Sequence, residues 1–202
     1  MPKLFILKNS DMDLLIQLDH ALFHFINGTI ANPLLNWLMP IVTNENNIAL
    51  PLLLIWLWLL LFQGKRGKIA AILLLLTVIL ADVIAAQIIK PWIGRIRPSR
   101  AMLDNINLLV SRGGKYGFVS NHAANTMAAA TIIGYFYKKW KYFAFTVSII
   151  VGFSRIYVGV HYPFDVLGGW FFGYGLAWII LSIWVILKMR EVKRGRSWIN
   201  YT

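Results

Sequence analysis

Five apolar runs decide what this chain can fold into. They cover residues 48–62, 69–89, 123–137, 142–160 and 162–187. A hydrocarbon core of about 30 Å takes about 20 helical residues to cross. A chain in lipid satisfies its backbone groups only as a helix or a closed barrel. The first run, 48–62, is short and needs flanking turns to span, whereas 162–187 is long enough to cross with tilt. Hydrophobic residues make up 58% of the chain and charged residues 14%, against about 45–50% and 25% in an average soluble domain. The pattern predicts an all-α fold, a polytopic transmembrane helical bundle of about five spans.

The net charge of +12 would suit a nucleic-acid partner, but its distribution excludes one. Eleven of the twenty Lys and Arg residues fall in three clusters: Lys65, Arg66 and Lys68; Lys138, Lys139 and Lys141; Lys188, Arg190, Lys193, Arg194 and Arg196. Each abuts an apolar run, as cytoplasmic helix ends do. Alternation then sends residues 90–97, 120–122 and 154–165 together to the opposite, outer ends. Trp92, Trp140 and Trp198 fall near predicted ends, as interfacial aromatics do. Gly169 and Gly173 give a spacing that lets another helix approach closely. The absence of cysteine removes disulfides and thiolate chemistry.

Residues 1–47 read as outer, interfacial helices. The first eight residues carry a short apolar run without a small-residue cleavage site, so no removable signal is expected. Residues 11–28 repeat Leu14, Leu15, Leu18, Leu22 and Ile26 at helical spacing around Asp19, His20 and His24. This predicts an amphipathic helix ended by Asn27 and Gly28. His20 and His24 lack a third metal ligand and read as packing or surface groups. A second short helix starts at Pro33 and runs to Thr43. Three parts follow: 1–47 interfacial, 48–188 membrane-embedded, 189–202 a basic cytoplasmic tail.

The outer ends carry the chemistry. His161 and Asp165 are four apart, a spacing that on a helix puts imidazole and carboxylate on one face. Ionisable residues beside membrane spans are functional candidates by default. Around the pair gather seven cations, Lys90, Arg95, Arg97, Arg100, Arg112, Lys115 and Arg155, against two acids, Asp104 and Asp165. Such an excess calls for an anion, and Arg forks match phosphate oxygens. Ser120 opens the third run, where helix N-terminal amides favour phosphate. A plainer reading sends Arg100, Arg112 and Lys115 to lipid headgroups at the surface. Asp82, about two turns deeper than Lys90, is expected to bond a neighbouring helix.

These residues resemble the three-part signature of the type 2 phosphatidic acid phosphatase superfamily. Lys90, six residues, then Arg97-Pro98 match its first motif. Ser154-Arg155, five residues, His161, three residues and Asp165 match its third. The second, Pro-Ser-Gly-His, reads Val119-Ser120-Asn121-His122 here. Asn121 replaces a glycine, and Asn tolerates the left-handed backbone that Gly often supplies. The resemblance covers about residues 48–188. It implies a six-helix-type lipid phosphatase core with His161 as nucleophile, Asp165 fixing its tautomer, and His122 as general acid and then base. Lys90, Arg97, Ser120, Asn121 and Arg155 would hold the phosphoryl oxygens. No metal or other cofactor is expected, because fixed cations supply the electrostatic stabilisation.

The resemblance further implies a multi-pass protein of the bacterial inner membrane, acting on a phosphorylated lipid from the periplasmic side without an obligate protein partner. Loop 99–117, with Gly113 and Gly114 as a pivot, offers Arg100, Arg112 and Lys115 to a larger anionic headgroup. The 1-phosphate of lipid A is the first substrate expected. Undecaprenyl pyrophosphate and phosphatidylglycerophosphate are the alternatives. A lipid or anion transporter would also want cations in the membrane, but it predicts a polar track through the bundle, and the inner halves of these runs are almost wholly apolar. A vanadium haloperoxidase shares the motif geometry, yet its soluble versions lack such spans.

Overall fold

A computed structural model describes residues 9–101 and 106–196. Asp104, Trp198, the short run at residues 1–8 and the end of the basic tail lie outside the described residues. Helix α1 is Asn9–His24, α2 Pro33–Thr43, α3 Glu45–Phe62, α4 Gly64–Ile84, α5 Lys90–Ile93, α6 Pro98–Ala101, α7 Asn121–Phe136, α8 Lys141–Tyr157 and α9 Pro163–Lys193. A π-helical turn, Ala85–Ile89, joins α4 to α5. Among the described residues there is no strand beyond one bridge, Ile96 to Tyr116.

Three helices are long and apolar enough to cross a bilayer: Glu45–Phe62, Gly64–Ile93 and Pro163–Lys193. The other two predicted spans form α7 and α8, of 16 and 17 residues. At 1.5 Å per residue these measure only about 24–26 Å.

Helix α7 is the centre of the bundle. Its sequence is rich in alanine, and Ala123, Ala124, Ala128 and Ala130 are buried. Small side chains let α4, α8 and α9 close on it. Gly169 and Gly173 of α9 complete the approach: a Cβ at Gly173 would collide with the Ala124 carbonyl. Toward the basic end, Ile132, Phe136, Leu181 and Trp184 fill the core with Ala70 and Ala177. Arg66 lies 4.8 Å over the Tyr137 ring, and a cavity of about 640 Å³ is lined by Arg66, Lys138 and Lys141. Two of the three basic clusters thus meet at one end, as alternation predicts.

The N-terminal segment has one apolar exposed face and one face packed on the bundle. Helix α1 stops at His24, and a π-helical turn, Phe25–Thr29, carries the chain on. Leu14, Leu15, Leu18, Leu22 and Phe25 are exposed, as an interfacial helix requires. The opposite face is not solvated. Phe23 is fully buried and packs with Ile156, Tyr162 and Val166. Asn27 is buried and donates to the carbonyls of Tyr157 (2.7 Å) and Asn107 (2.8 Å), while its Oδ1 accepts the Asn107 N–H at 2.9 Å. The segment is therefore seated on the turn between α8 and α9. His20 stacks on Tyr162 with ring centroids 4.8 Å apart, and His24 meets Phe23 edge-on. Both histidines pack against aromatics.

Candidate active site

The turn that carries His161 is built by three local devices. Helix α8 ends at Tyr157, and Gly159 follows with φ of +85°, a backbone region that side chains with a Cβ rarely adopt. Pro163 then opens α9, whose first turn has Tyr162 as N-cap and Asp165 three residues on. The Asp165 Oδ2 reaches back to accept the Tyr162 N–H at 3.0 Å. The same oxygen lies 3.3 Å from His161 Nδ1. His161 thus precedes the helix rather than sharing a helical face with Asp165, as the four-residue spacing suggested. The pairing comes from the cap: a carboxylate at the third position points back over the chain that enters the helix.

Both partners are buried, His161 at 1% and Asp165 at 0% exposure. The acceptor at Nδ1 favours the tautomer with its proton there, leaving Nε2 a lone pair. Burial, reinforced by the charges of Arg97, Arg155 and Lys90, pushes the His161 imidazole well below its ordinary pKa of 6.5. A neutral, oriented imidazole is what a nitrogen nucleophile requires.

The cations arrive from three directions. Arg97, 8% exposed, follows α5 and is fixed by a short pairing with the loop before α7. Its N–H donates to the Lys115 carbonyl (3.2 Å), Gly117 N–H donates to the Arg95 carbonyl (2.8 Å), and Arg97 Nε donates to the Tyr116 carbonyl at 3.0 Å. Arg155, in the last turn of α8, donates through Nη1 to Thr43 Oγ1. Its Nε is buried without a hydrogen-bond partner among the described residues, and so is Ser120 Oγ. Ser120 is the N-cap of α7, and its N–H donates to the Asp165 carbonyl at 2.9 Å. That bond ties the second motif to the third. Orphan donors and the open N-terminus of α7 leave this place prepared for an anion.

Lys90 is held by Asn121. Its Nζ donates to Asn121 Oδ1, and Asn121 Nδ2 donates to Asp82 Oδ1 at 2.7 Å. Asn125 Nδ2 donates to the same carboxylate oxygen at 3.1 Å. Asp82 thus bonds the neighbouring helix, as expected, and reaches Lys90 through it. The backbone at Asn121 is helical; no residue other than glycine has positive φ among the described residues. The left-handed role anticipated from the missing glycine is replaced by a side-chain role. His122 follows, with Glu45 Oε1 standing 3.2 Å from its Nε2. That contact is a charge proximity, since it lacks hydrogen-bond geometry and Nε2 has no hydrogen-bond partner.

Three predicted residues stay outside the cluster. Arg100 Nη2 donates to the Gly113 carbonyl at 2.7 Å, and Lys115 Nζ lies 5.5 Å over the Tyr116 ring. Arg112 contributes its backbone carbonyl to Ser99 Oγ at 2.9 Å. All three side chains are exposed, Arg100 on α6 and Arg112 and Lys115 on the loop that covers Arg97.

The acids are more numerous than the sequence suggested. Asp19 and Glu45 come to this end from α1 and α3. Asp19 is fully buried and pairs with Arg95 Nη2, while Arg95 Nη1 donates to Asp165 Oδ1 at 3.0 Å. Hydrophobic periodicity placed Asp19 on a polar face. No signal in the chain could show that this face meets a residue 76 positions away.

The chain is similar to several known membrane phosphatases. The chain is 31% identical to the lipid A 4′-phosphatase of Bacteroides thetaiotaomicron over 85% of its own length and 79% of that protein's. It is also 31% identical to phosphatidylglycerophosphatase B of Bacillus subtilis, covering 75% of this chain and 76% of the relative. Among solved structures, Aquifex aeolicus LpxE superposes with a TM-score of 0.65 at 26% identity, over 82% of this chain and 95% of that one. The model of the PAP2 superfamily matches residues 70–188, which hold all three motifs, and the chain belongs to that superfamily of membrane lipid phosphatases.

Proposed function

We propose that this lipid phosphatase removes a phosphate monoester from lipid A at the periplasmic face of a bacterial inner membrane, through a phosphohistidine. The observation that carries the reading is the buried His161–Asp165 pair, ringed by Lys90, Arg97 and Arg155 with an unpartnered Ser120 hydroxyl beside it. His161 Nε2 attacks phosphorus as the lipid oxygen leaves. The imidazolium that forms is stabilised through Nδ1–H by Asp165. His122, its pKa held down to about 3 by burial and by Arg155, Arg97 and Lys90, takes up a proton as the anionic phosphate binds, gives it to the leaving oxygen and then takes one from the water that cleaves the N–P bond. Lys90, Arg97, Arg155, Ser120 Oγ and the amides opening α7 at Asn121 hold the three phosphoryl oxygens. Positioning and fixed charge do most of the work in phosphoryl transfer.

Lipid A as substrate is supported by the 4′-phosphatase relative, which favours the 4′-phosphate over the 1-phosphate expected from the sequence. The equally similar phosphatidylglycerophosphatase supports a second reading, phosphatidylglycerophosphate. The exposed Arg100, Arg112 and Lys115 suit the rim of a site for a large anionic headgroup. Basic clusters at the other end support a cytoplasmic location for that end.

The test is phosphate release in detergent from lipid A bearing only a 1- or only a 4′-phosphate, from phosphatidylglycerophosphate and from undecaprenyl pyrophosphate. Lipid A 4′-phosphate should give the highest kcat/KM; its being the slowest substrate refutes the assignment. His161→Ala, His122→Ala and Arg155→Ala should each lower turnover at least about a hundredfold. Near-wild-type turnover of folded His161→Ala refutes the mechanism.

A further inference from the structure

We infer that Asp19, on the N-terminal helix, is a positioning residue for catalysis that acts on Asp165 through Arg95. The inference rests on the phosphohistidine reading above and adds a residue outside all three motifs and outside the matched segment 70–188.

Asp19 is fully buried, and a buried carboxylate persists only with partners. It has two. Its Oδ2 pairs with Arg95 Nη2, and its Oδ1 accepts the Phe164 N–H at 2.8 Å. Phe164 is the residue before Asp165, so Asp19 holds the first turn of α9 directly. Arg95 is shared between two acids: Nη2 goes to Asp19, and Nη1 goes to Asp165 Oδ1 at 3.0 Å. The guanidinium carbon also lies 4.4 Å over the Tyr162 ring, which stacks on His20 and meets Phe23 edge-on.

The guanidinium plane is thus fixed by two carboxylates and one aromatic face. With Oδ1 of Asp165 taken by Arg95, Oδ2 is left to face Tyr162 N–H and His161 Nδ1. Removing Asp19 leaves Arg95, whose side chain is 24% exposed, one charged anchor instead of two. The guanidinium is then free to turn toward solvent, Asp165 loses the contact that sets its rotation, and His161 Nε2 is aimed less well. Misplacement by about 1 Å can cost about a hundredfold in rate. Asp19 does not touch the reacting atoms, so its removal should act on kcat and leave lipid capture nearly intact.

The experiment is a double-mutant cycle on the full-length protein in detergent, with Asp19→Asn, Arg95→Gln and the double variant. Each is checked for folding by elution and helical signal. Asparagine keeps an acceptor for the Phe164 N–H, so the variant tests the charge on Arg95 and not the cap. Asp19→Asn should lower kcat about tenfold with KM within about twofold, and Arg95→Gln should lower kcat further. The double variant should be no slower than Arg95→Gln alone, because residues acting through one another do not add. Wild-type kcat in Asp19→Asn, or a double variant showing the product of the two losses, overturns the inference. If Asp19→Asn fails to fold, Arg95→Gln carries the test alone: its kcat should fall at least about tenfold with KM within about twofold, and wild-type kcat there overturns the inference. His161→Ala is run alongside: turnover there refutes the phosphohistidine reading itself, whereas an inactive His161→Ala beside fully active Asp19 variants refutes only the role of Asp19.

Discussion

Replacing Asp165 with asparagine is the sharpest probe of the proposed nucleophile, because the structure leaves the amide no good orientation. Oδ2 faces two N–H groups, Tyr162 N at 3.0 Å and His161 Nδ1 at 3.3 Å, and Oδ1 faces Arg95 Nη1 at 3.0 Å. All three partners are donors in the active arrangement. An amide has one acceptor oxygen and one NH₂. With oxygen toward His161, the NH₂ abuts the Arg95 guanidinium and breaks a buried ion pair, a change that costs about 3–5 kcal/mol. With oxygen toward Arg95, the NH₂ faces Tyr162 N–H and His161. The imidazole must then turn its Nδ1 into an acceptor and carry its proton on Nε2, which removes the attacking lone pair. Either way the active arrangement is raised by several kcal/mol, and each 1.36 kcal/mol is a tenfold loss of rate. The same exchange in a Ser-His-Asp triad lowers kcat about 10⁴-fold with the geometry intact. Asp165→Asn should lose about 10³–10⁴-fold in kcat, measured as single-turnover phosphate release from micellar lipid. Turnover within tenfold of wild type, in protein that elutes as the native species, would refute both the tautomer argument and the assignment of His161.

Burial and the surrounding cations hold His161 well below 6.5, so the neutral form persists as pH falls through 6.5. After correction for the substrate's own ionisation, kcat/KM should show no loss from this group near pH 6.5; an acid limb centred at or above that value counts against it. The same depression makes stability present above pH 6.5 fall away as pH drops toward the folded-state value, read as the melting temperature in detergent. Asn121→Ala separates Lys90 from Asp82. It should lower kcat/KM about tenfold, and Asp82→Asn should then add almost nothing, since the two act as one unit. Gly173→Val drives a side chain into the Ala124 carbonyl. Overpacking of this kind costs about 1–3 kcal/mol, visible as a lower melting temperature with the pH profile unchanged.

The membrane class and the family motifs were legible because both are written locally. Apolar runs exceed what a soluble core tolerates, and basic clusters mark alternate ends. Each motif keeps its own residues within a turn or two of one another. Residues that act across helices were not legible. His161 and Asp165 meet through a helix cap rather than along a helical face, a difference that spacing alone cannot express. Asn121 looked like a backbone substitute for glycine, because a single chain does not show that Lys90 and Asp82 stand on either side of its amide. Glu45 and Thr43 reach His122 and Arg155 from the α2–α3 junction, where neither the polarity nor the spacing of the chain marks a site.

The bracing of His161 follows from where it has to be. His161, the proposed nucleophile, is buried just before a helix start, where backbone groups are unsatisfied and the chain reverses. Such turns are ordinarily the looser parts of a bundle. Here the turn between α8 and α9 is bonded on several sides. Asn27 takes the Tyr157 carbonyl, the Val158 carbonyl accepts the Leu109 N–H at 3.3 Å, the Arg155 carbonyl accepts the His161 N–H at 3.2 Å, and Asp19 takes the Phe164 N–H. Two of these braces come from the N-terminal segment, whose outward face is apolar. The N-terminal segment therefore supplies rigidity that the turn carrying His161 lacks by itself. This requirement gives a physical reason for a buried aspartate on an amphipathic helix: it brings a fixed charge to the site from outside the motifs.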